Sequence, residues 1–163
     1  VEVEVRKNLF VRPLSSAANG MNKLSFGLNG SYIYTNAKMP LATVTTGSQL
    51  EGAAPWIANF DLSHNFTKGN HSFINTLVFN YVSDKIYTIG TQGYQDIIEQ
   101  GMMTLDFVSQ AKLNKYVSLT LKARNLLNPS YKLSRKANES GEKVVLSDYK
   151  KGINISLGVS CTF

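Results

Sequence analysis

Ile153-Asn154-Ile155-Ser156-Leu157-Gly158-Val159-Ser160-Cys161-Thr162-Phe163 alternates from end to end. The odd positions are apolar and the even ones are small or polar. Successive side chains of a strand point to opposite faces, so this pattern predicts a strand with one greasy and one polar face. Five other segments show the same period. Val1, Val3 and Val5 oppose Glu2, Glu4 and Arg6. Leu24, Phe26, Leu28, Gly30, Tyr32 and Tyr34 oppose Ser25, Gly27, Asn29, Ser31 and Ile33. Trp56, Ala58, Phe60, Leu62, His64 and Phe66 oppose Ile57, Asn59, Asp61, Ser63 and Asn65. Met103, Leu105, Phe107, Ser109, Ala111 and Leu113 oppose Thr104, Asp106, Val108, Gln110 and Lys112, and Val117, Leu119, Leu121 and Ala123 oppose Ser118, Thr120, Lys122 and Arg124. The stretch 71–83 is strand-like, but Asn75 and Asn80 fall on different faces and its sides stay unassigned. Seven strands result, near 1–6, 23–36, 56–66, 71–83, 102–113, 117–127 and 149–163.

Most of these segments are about ten residues long, the length a tilted transmembrane strand needs. In the clean segments every charge falls on the polar face. Aromatics bracket the greasy face: Tyr32, Tyr34 and Trp56 toward one end, Phe66, Tyr116 and Phe163 toward the other. Aromatic girdles around an uncharged band are the signature of a membrane β-barrel. Composition agrees. Only 17% of the 163 residues are charged, against roughly 25% in an ordinary globular domain, while 15 Asn and 16 Ser fill the polar side. A soluble β-sandwich also alternates, but with shorter strands and more Lys and Glu outside. The fold class expected is therefore an all-β, antiparallel transmembrane barrel.

Connections give a second test. They run 7–22, 37–54, 67–70, 84–101, 114–116 and 128–148, with short and long in alternation. Outer-membrane barrels place tight turns on the periplasmic side and long loops outside. The 7–22 connection, with Pro13 and Gly20, is long for a turn and is expected to hold a small helix or a frayed strand end. If Asp106 is to share a face with the cations of the next strand, the hairpin near Asn114 needs an odd loop. Three residues would put either Lys122 or Arg124 opposite it. Single-chain bacterial barrels have even strand numbers, so seven strands imply part of a larger barrel, with 1–163 as its C-terminal segment and the earlier strands and any plug absent.

Other classes find little support. The net charge of +6 is scattered, and Arg135-Lys136 and Lys150-Lys151 are its densest points, so no nucleic-acid partner is expected. The lone cysteine, Cys161, cannot build a disulfide framework. His64 and His71 flank the 67–70 turn without carboxylates at ligand spacing, so no metal site is expected. Asp84, Asp96 and Glu99 share one long loop and read as solvated carboxylates rather than a hard-cation site. No nucleophile relay is recognisable, and neither catalysis nor a cofactor is expected.

Three pieces carry a family resemblance. Gln49-Leu50-Glu51-Gly52-Ala53-Ala54-Pro55-Trp56-Ile57-Ala58-Asn59 looks like the loop-to-strand approach late in TonB-dependent outer-membrane receptors. Leu105-Asp106-Phe107, followed by Lys122-Ala123-Arg124-Asn125-Leu126-Leu127-Asn128-Pro129, is similar to their penultimate hairpin and its exit. Gly152 through Phe163 resembles their last strand. The resemblance covers about the last two thirds of the chain. It implies a plug-and-barrel transporter of 22 strands in the bacterial outer membrane. Such a protein takes up a scarce or large nutrient of the siderophore, cobalamin, glycan or peptide class. It would be driven by an inner-membrane energy-transducing complex.

Candidate functional residues fall into three groups. Leu157, Val159, Cys161 and Phe163 read as an assembly signal, an alternating apolar strand ending in an aromatic. Tyr87, Gln92, Tyr94 and Gln95 in one long loop, and Tyr131, Lys132 and Arg135 in the next, are candidate ligand or partner contacts. Glu2, Glu4, Arg6, Asp61, Asp106, Lys112, Lys122 and Arg124 are expected to line a lumen. Besides lipid and the energy-transducing complex, a surface lipoprotein is a conceivable partner. Two alternatives stand beside the transporter: a structural barrel subunit that binds partner lipoproteins, and a soluble β-sandwich binding module.

Overall fold

Backbone pairing follows the alternation. The computed structural model describes residues 1–14, 20–36, 49–91, 93–137 and 141–162. Its strands are β1 (Glu2–Leu14), β2 (Gly20–Tyr32), β3 (Trp56–Lys68), β4 (His71–Val82), β5 (Lys85–Thr88), β6 (Ile97–Glu99), β7 (Met102–Lys112), β8 (Val117–Arg124), β9 (Ser130–Lys136), β10 (Lys143–Lys150) and β11 (Asn154–Cys161). Every pairing is antiparallel. The seven strands expected from the sequence form one sheet in chain order, β1-β2-β3-β4-β7-β8-β11. The sheet does not close on itself; β1 and β11 are its two edges. In a meander of seven strands these edge strands point the same way. Antiparallel closure therefore requires an odd number of further strands.

Two of the three long connections, 84–101 and 128–148, are not loops, as the sequence reading had them. They carry β5, β6, β9 and β10, which assemble into a second sheet of order β10-β9-β6-β5. Its strands are short, three to eight residues. Two of its pairings slip register, between Ile86 and Thr88 and between Val145 and Ser147. Broken register erases period two, which is why the pattern was invisible. The 7–22 segment is likewise corrected. β1 runs on to Leu14, with a bulge at Leu9 between the pairs Asn8–Ser25 and Phe10–Leu24. One extra residue reverses the faces. Beyond it Phe10, Arg12 and Leu14 lie on the apolar face, as Lys7 does before it opposite Phe26, while Val11 and Pro13 join the polar one. A count in strict twos loses the strand there. The last strand is also shorter than expected, because 143–150 belongs to β10.

Short connections collect at one end of the long sheet. Gly69 takes φ +58 in the two-residue turn between β3 and β4, the backbone state a tight hairpin demands of glycine. Between β7 and β8 the Leu113 N–H donates to the Val117 carbonyl, leaving a three-residue loop. The Asn114 side-chain oxygen accepts from the N–H groups of Tyr116 and Val117. That loop is odd, as the sequence required, and the ladder Val108–Lys122, Phe107–Ala123 sets Arg124 across from Asp106. Between the two registers left open, the structure selects Arg124. The C-terminal end of β11 lies at this same short-turn end, where the Thr162 N–H donates to the Tyr116 carbonyl.

Among the described residues, those buried are Gly27, Ala54, Ile86, Gly90 and Ser134. Apart from Gly27, all lie at the long-connection end, around the second sheet. The long sheet has no core of its own. The chain exposes 11031 Å², whereas a folded monomer of 18.0 kDa exposes about 8,000 Å².

Candidate functional site

The two faces of the long sheet are the first functional feature, and register defines them. Directly paired residues share a face. One row reads Leu62, Leu77, Phe107, Ala123, Ile155 across β3, β4, β7, β8 and β11; the next reads Phe60, Phe79, Leu105. Val3, Val5, Leu28 and Phe26 continue the face to β1. Many of these side chains are uncovered: Leu157 is 71% exposed, Ile155 69%, Val159 62% and Val3 61%. Contiguous apolar surface of this extent marks contact with something apolar. Aromatics bound it, with Tyr32 against Trp56 at 4.5 Å near one end and Phe66 against Phe73 at 6.4 Å near the other.

β4 resolves its ambiguity here. Asn75 lies on the apolar face opposite His64 and Ser109, and Asn80 on the polar face opposite Asn59 and Thr104. Val78 and Ile74 also fall on the polar face, so β4 is apolar on both sides and alternation could not read it. His64, Asn75 and Ser109 form a polar row across the greasy face that sequence reasoning did not assemble. They are satisfied within the sheet: the His64 Nε2 and Asn22 Oδ1 lie 2.8 Å apart, and Ser109 Oγ donates to Asn75 Oδ1 at 2.7 Å. His64 and His71, which flank the 67–70 turn, do not pair: His71 lies opposite Lys68, four residues further along β3.

All eight charges expected on the other face are there. Glu2, Glu4 and Arg6 lie along β1, with Glu4 bridged to Arg6. Arg6, Gly27 and Asp61 form a single row. A Cβ on Gly27, in its middle, would meet the Asp61 carboxylate, so a larger residue there would push that side chain aside. Asn29 donates to Glu2 at 2.6 Å and Asn59 to Asn29 at 3.4 Å, so amides relay between strands. Lys112 and Lys122 lie opposite Ser118 and Val108.

The loop candidates are largely gathered by the second sheet. The Arg135 guanidinium sits 5.1 Å over the Tyr94 ring, and Tyr131 packs against Tyr149 at 5.1 Å. Lys132 pairs with Asp148 at 3.2 Å. Tyr87 is half-exposed on β5, and Gln95 follows Tyr94 where the backbone of Gly90 packs against both. Gln92 and Phe163 lie outside the described residues. The three carboxylates of the first loop act separately. Asp84 accepts from the Gly101 N–H, Asp96 from the Gly90 N–H, and Glu99 pairs with Lys85 at 3.2 Å while accepting from the Tyr131 hydroxyl at 3.2 Å. Burial first, and the Glu99 charge second, hold the Tyr131 phenol above its ordinary pKa. Among the described residues no group of three or more His, Cys, Asp or Glu could hold a metal ion.

Where the sheets meet, the Asn125-Leu126-Leu127-Asn128 element acts as a clamp. Asn125 and Asn128 both adopt left-handed backbone, φ 58 and 44, which asparagine tolerates better than most residues. Asn125 N–H donates to Asp106 Oδ1 at 2.8 Å, its side chain donates to the Gly152 carbonyl at 2.7 Å, and Gly152 N–H donates to Asn128 Oδ1 at 3.0 Å. Leu126 N–H reaches the Leu105 carbonyl. β7, β8 and the approach to β11 are thus tied at one point. Beneath the clamp, on the polar face, a cavity of about 390 Å³ is bounded by Asp106, Arg124, Tyr131, Lys151 and Asn154. The sequence singled out Asp106, Arg124, Tyr131 and Asn125 but not their convergence, and Lys151 figured there only as one of the scattered positive charges.

No protein family, curated protein or solved structure matches the chain.

Proposed function

We propose that this chain is the C-terminal wall of an outer-membrane β-barrel, with the exposed apolar face toward lipid and the charged face toward a lumen. The carrying observation is a seven-stranded antiparallel meander whose apolar face is uncovered from β1 to β11. Ten residues separate Trp56 from Phe66 on β3. At about 3.3 Å per residue and a tilt of about 40°, that is about 25 Å along the bilayer normal, the height of a barrel's apolar band. A sandwich would need a second layer over this face. The four-stranded sheet instead lies at the long-connection end, beyond Trp56 and Tyr81.

Within this reading the barrel belongs to a receptor that imports a scarce or large solute in an energy-dependent way, of the TonB-dependent kind. The Asp106–Asn125–Asn128–Gly152 clamp supports it by giving a structural role to the residues that carry the resemblance. Fractionation and electrophoresis without boiling test the barrel: the protein should sediment with outer membranes and migrate faster unheated. Solubility without detergent would overturn it. Uptake that persists after loss of the inner-membrane energy-transducing complex would overturn the import function alone.

A second reading has one specific observation behind it. β10 is an edge strand of the second sheet and exposes Val144, Val145 and Leu146 by 44–54%. Such an edge suits strand addition by a surface lipoprotein, as a structural barrel subunit would use it. Stable co-purification of such a lipoprotein from cells in which uptake is unimpaired would favour it.

A further inference from the structure

Of the charged groups on the polar face, two cations stand together without a carboxylate partner. Arg124 faces Asp106 on one side in the ladder and Asn154 on the other. Among the described residues its guanidinium has no hydrogen-bond or ion-pair partner. Lys151 lies 5.2 Å over the Tyr131 ring and likewise pairs with no carboxylate among the described residues. Asp106, the cavity's one acid, already accepts from the Asn125 N–H. The cavity therefore carries one positive charge in excess.

We propose that this cavity binds the carboxylate end of a solute entering from the long-connection side, Arg124 and Lys151 being the anion-binding pair. The proposal deepens the receptor reading and rests on it, because a lumen-facing cavity at that end is open to incoming solutes. Arg presents a planar fork of donors that matches a carboxylate two bonds at a time. One net positive charge suits a monoanion. A phosphate dianion would meet the Asp106 carboxylate as a like charge at close range. Met102 and the Tyr131 ring supply an apolar wall for the ligand's body, and about 390 Å³ lies within the range of small-molecule sites. Thr104 and Asn154 add hydroxyl and amide groups to the polar floor.

Three probes with one ring and different heads test this: benzoate, benzyl alcohol and phenyl phosphate. They would be titrated by saturation-transfer NMR against the intact protein extracted in detergent. Benzoate is expected to bind at least tenfold more tightly than benzyl alcohol and more tightly than phenyl phosphate. Arg124→Gln should weaken benzoate about tenfold and leave benzyl alcohol unchanged. Arg124→Lys should lie between, and Lys122→Gln, outside the cavity, should change nothing. Equal binding of benzoate and benzyl alcohol overturns the proposal. So does tighter phenyl phosphate, or an Arg124→Gln variant that loses its unheated fast-migrating form while its remaining assembled fraction binds benzoate normally. Failure of the barrel reading shows separately, as a protein soluble without detergent.

Discussion

Leu62 and Ser63 are neighbours on β3, at the same depth and on opposite faces, and replacing each by arginine isolates the effect of face. Leu62 pairs with Phe26 and Leu77 in the apolar rows, and Ser63 with Ser25 and Thr76. Leu62 lies four residues from Phe66 and six from Trp56. That is about 13 Å along the strand from the nearer girdle, or about 10 Å in depth, within a few ångströms of the midplane. An arginine facing lipid there costs about 2–4 kcal/mol, a factor of about 30 to 700 in the folding equilibrium. Ser63→Arg loses the hydroxyl pair with Thr76, a loss of about 0.5–1.5 kcal/mol, and sends its charge into a wet face. Phe66→Arg, at the girdle, should add about 0–1 kcal/mol for its charge. Urea titration of the protein refolded into phosphatidylcholine vesicles, followed by tryptophan fluorescence, measures all three. If Leu62→Arg and Ser63→Arg agree within about 0.5 kcal/mol, the assignment of faces is wrong. If Leu62→Arg and Phe66→Arg carry equal charge penalties, the surroundings of the apolar face are not a bilayer.

Three further outcomes are expected. Asn125→Ala loses the bond to the Gly152 carbonyl and must hold φ 58 without the polar side chain that lets asparagine tolerate it, a cost of about 2–3 kcal/mol, whereas Asn125→Gly loses the bond alone, about 1 kcal/mol; the order of their urea midpoints checks this. His64→Leu strands the Asn22 amide on the apolar face and should destabilise by about 1–3 kcal/mol, while adding Asn22→Leu should recover most of the loss; a double-mutant cycle decides. The Tyr131 phenol is raised above its ordinary value, near 10, so it favours the folded state while protonated. This stabilisation is complete below the ordinary pKa and is lost as pH rises through the raised one. Carbon-13 NMR of labelled tyrosine should show Tyr131 titrating above the ordinary tyrosine value, and Glu99→Gln should lower its pKa only in part, because burial also raises it.

Legibility of this chain tracked how strictly each segment kept period two. The strand at 56–66 was readable to its first residue because polar and apolar residues alternate along it, with Ile57 and His64 as the exceptions. β4 was readable as a strand but not by face, since Ile74, Val78 and Val82 put apolar groups on the polar side. At Leu9 a single bulge hid half of β1. The second sheet was hidden because its strands are short, slip register and are held by long-range bonds such as Glu99 to Tyr131, which no local pattern announces. Site chemistry was legible residue by residue and not as an assembly. Turn parity put Asp106 on one face with Lys122 and Arg124, and only the register of the ladder chose Arg124 as its partner. Lys151 reaches the same cavity only because Asn125 and Asn128 fold the chain back onto Gly152.

The central claim is that the sheet separates lipid from water, and the stretch from Ile153 to Cys161 tests it most directly. With Cys161 replaced by serine, single cysteines at each position from Ile153 to Ser160 would carry a nitroxide in the membrane-reconstituted protein. Collision with oxygen, which partitions into lipid, would be compared with collision with a water-soluble nickel chelate. The account predicts oxygen accessibility peaking at Ile153, Ile155, Leu157 and Val159 and nickel accessibility peaking at Asn154, Ser156, Gly158 and Ser160. Nickel accessibility at Ile155 and Leu157 equal to that at Ser156 would contradict it.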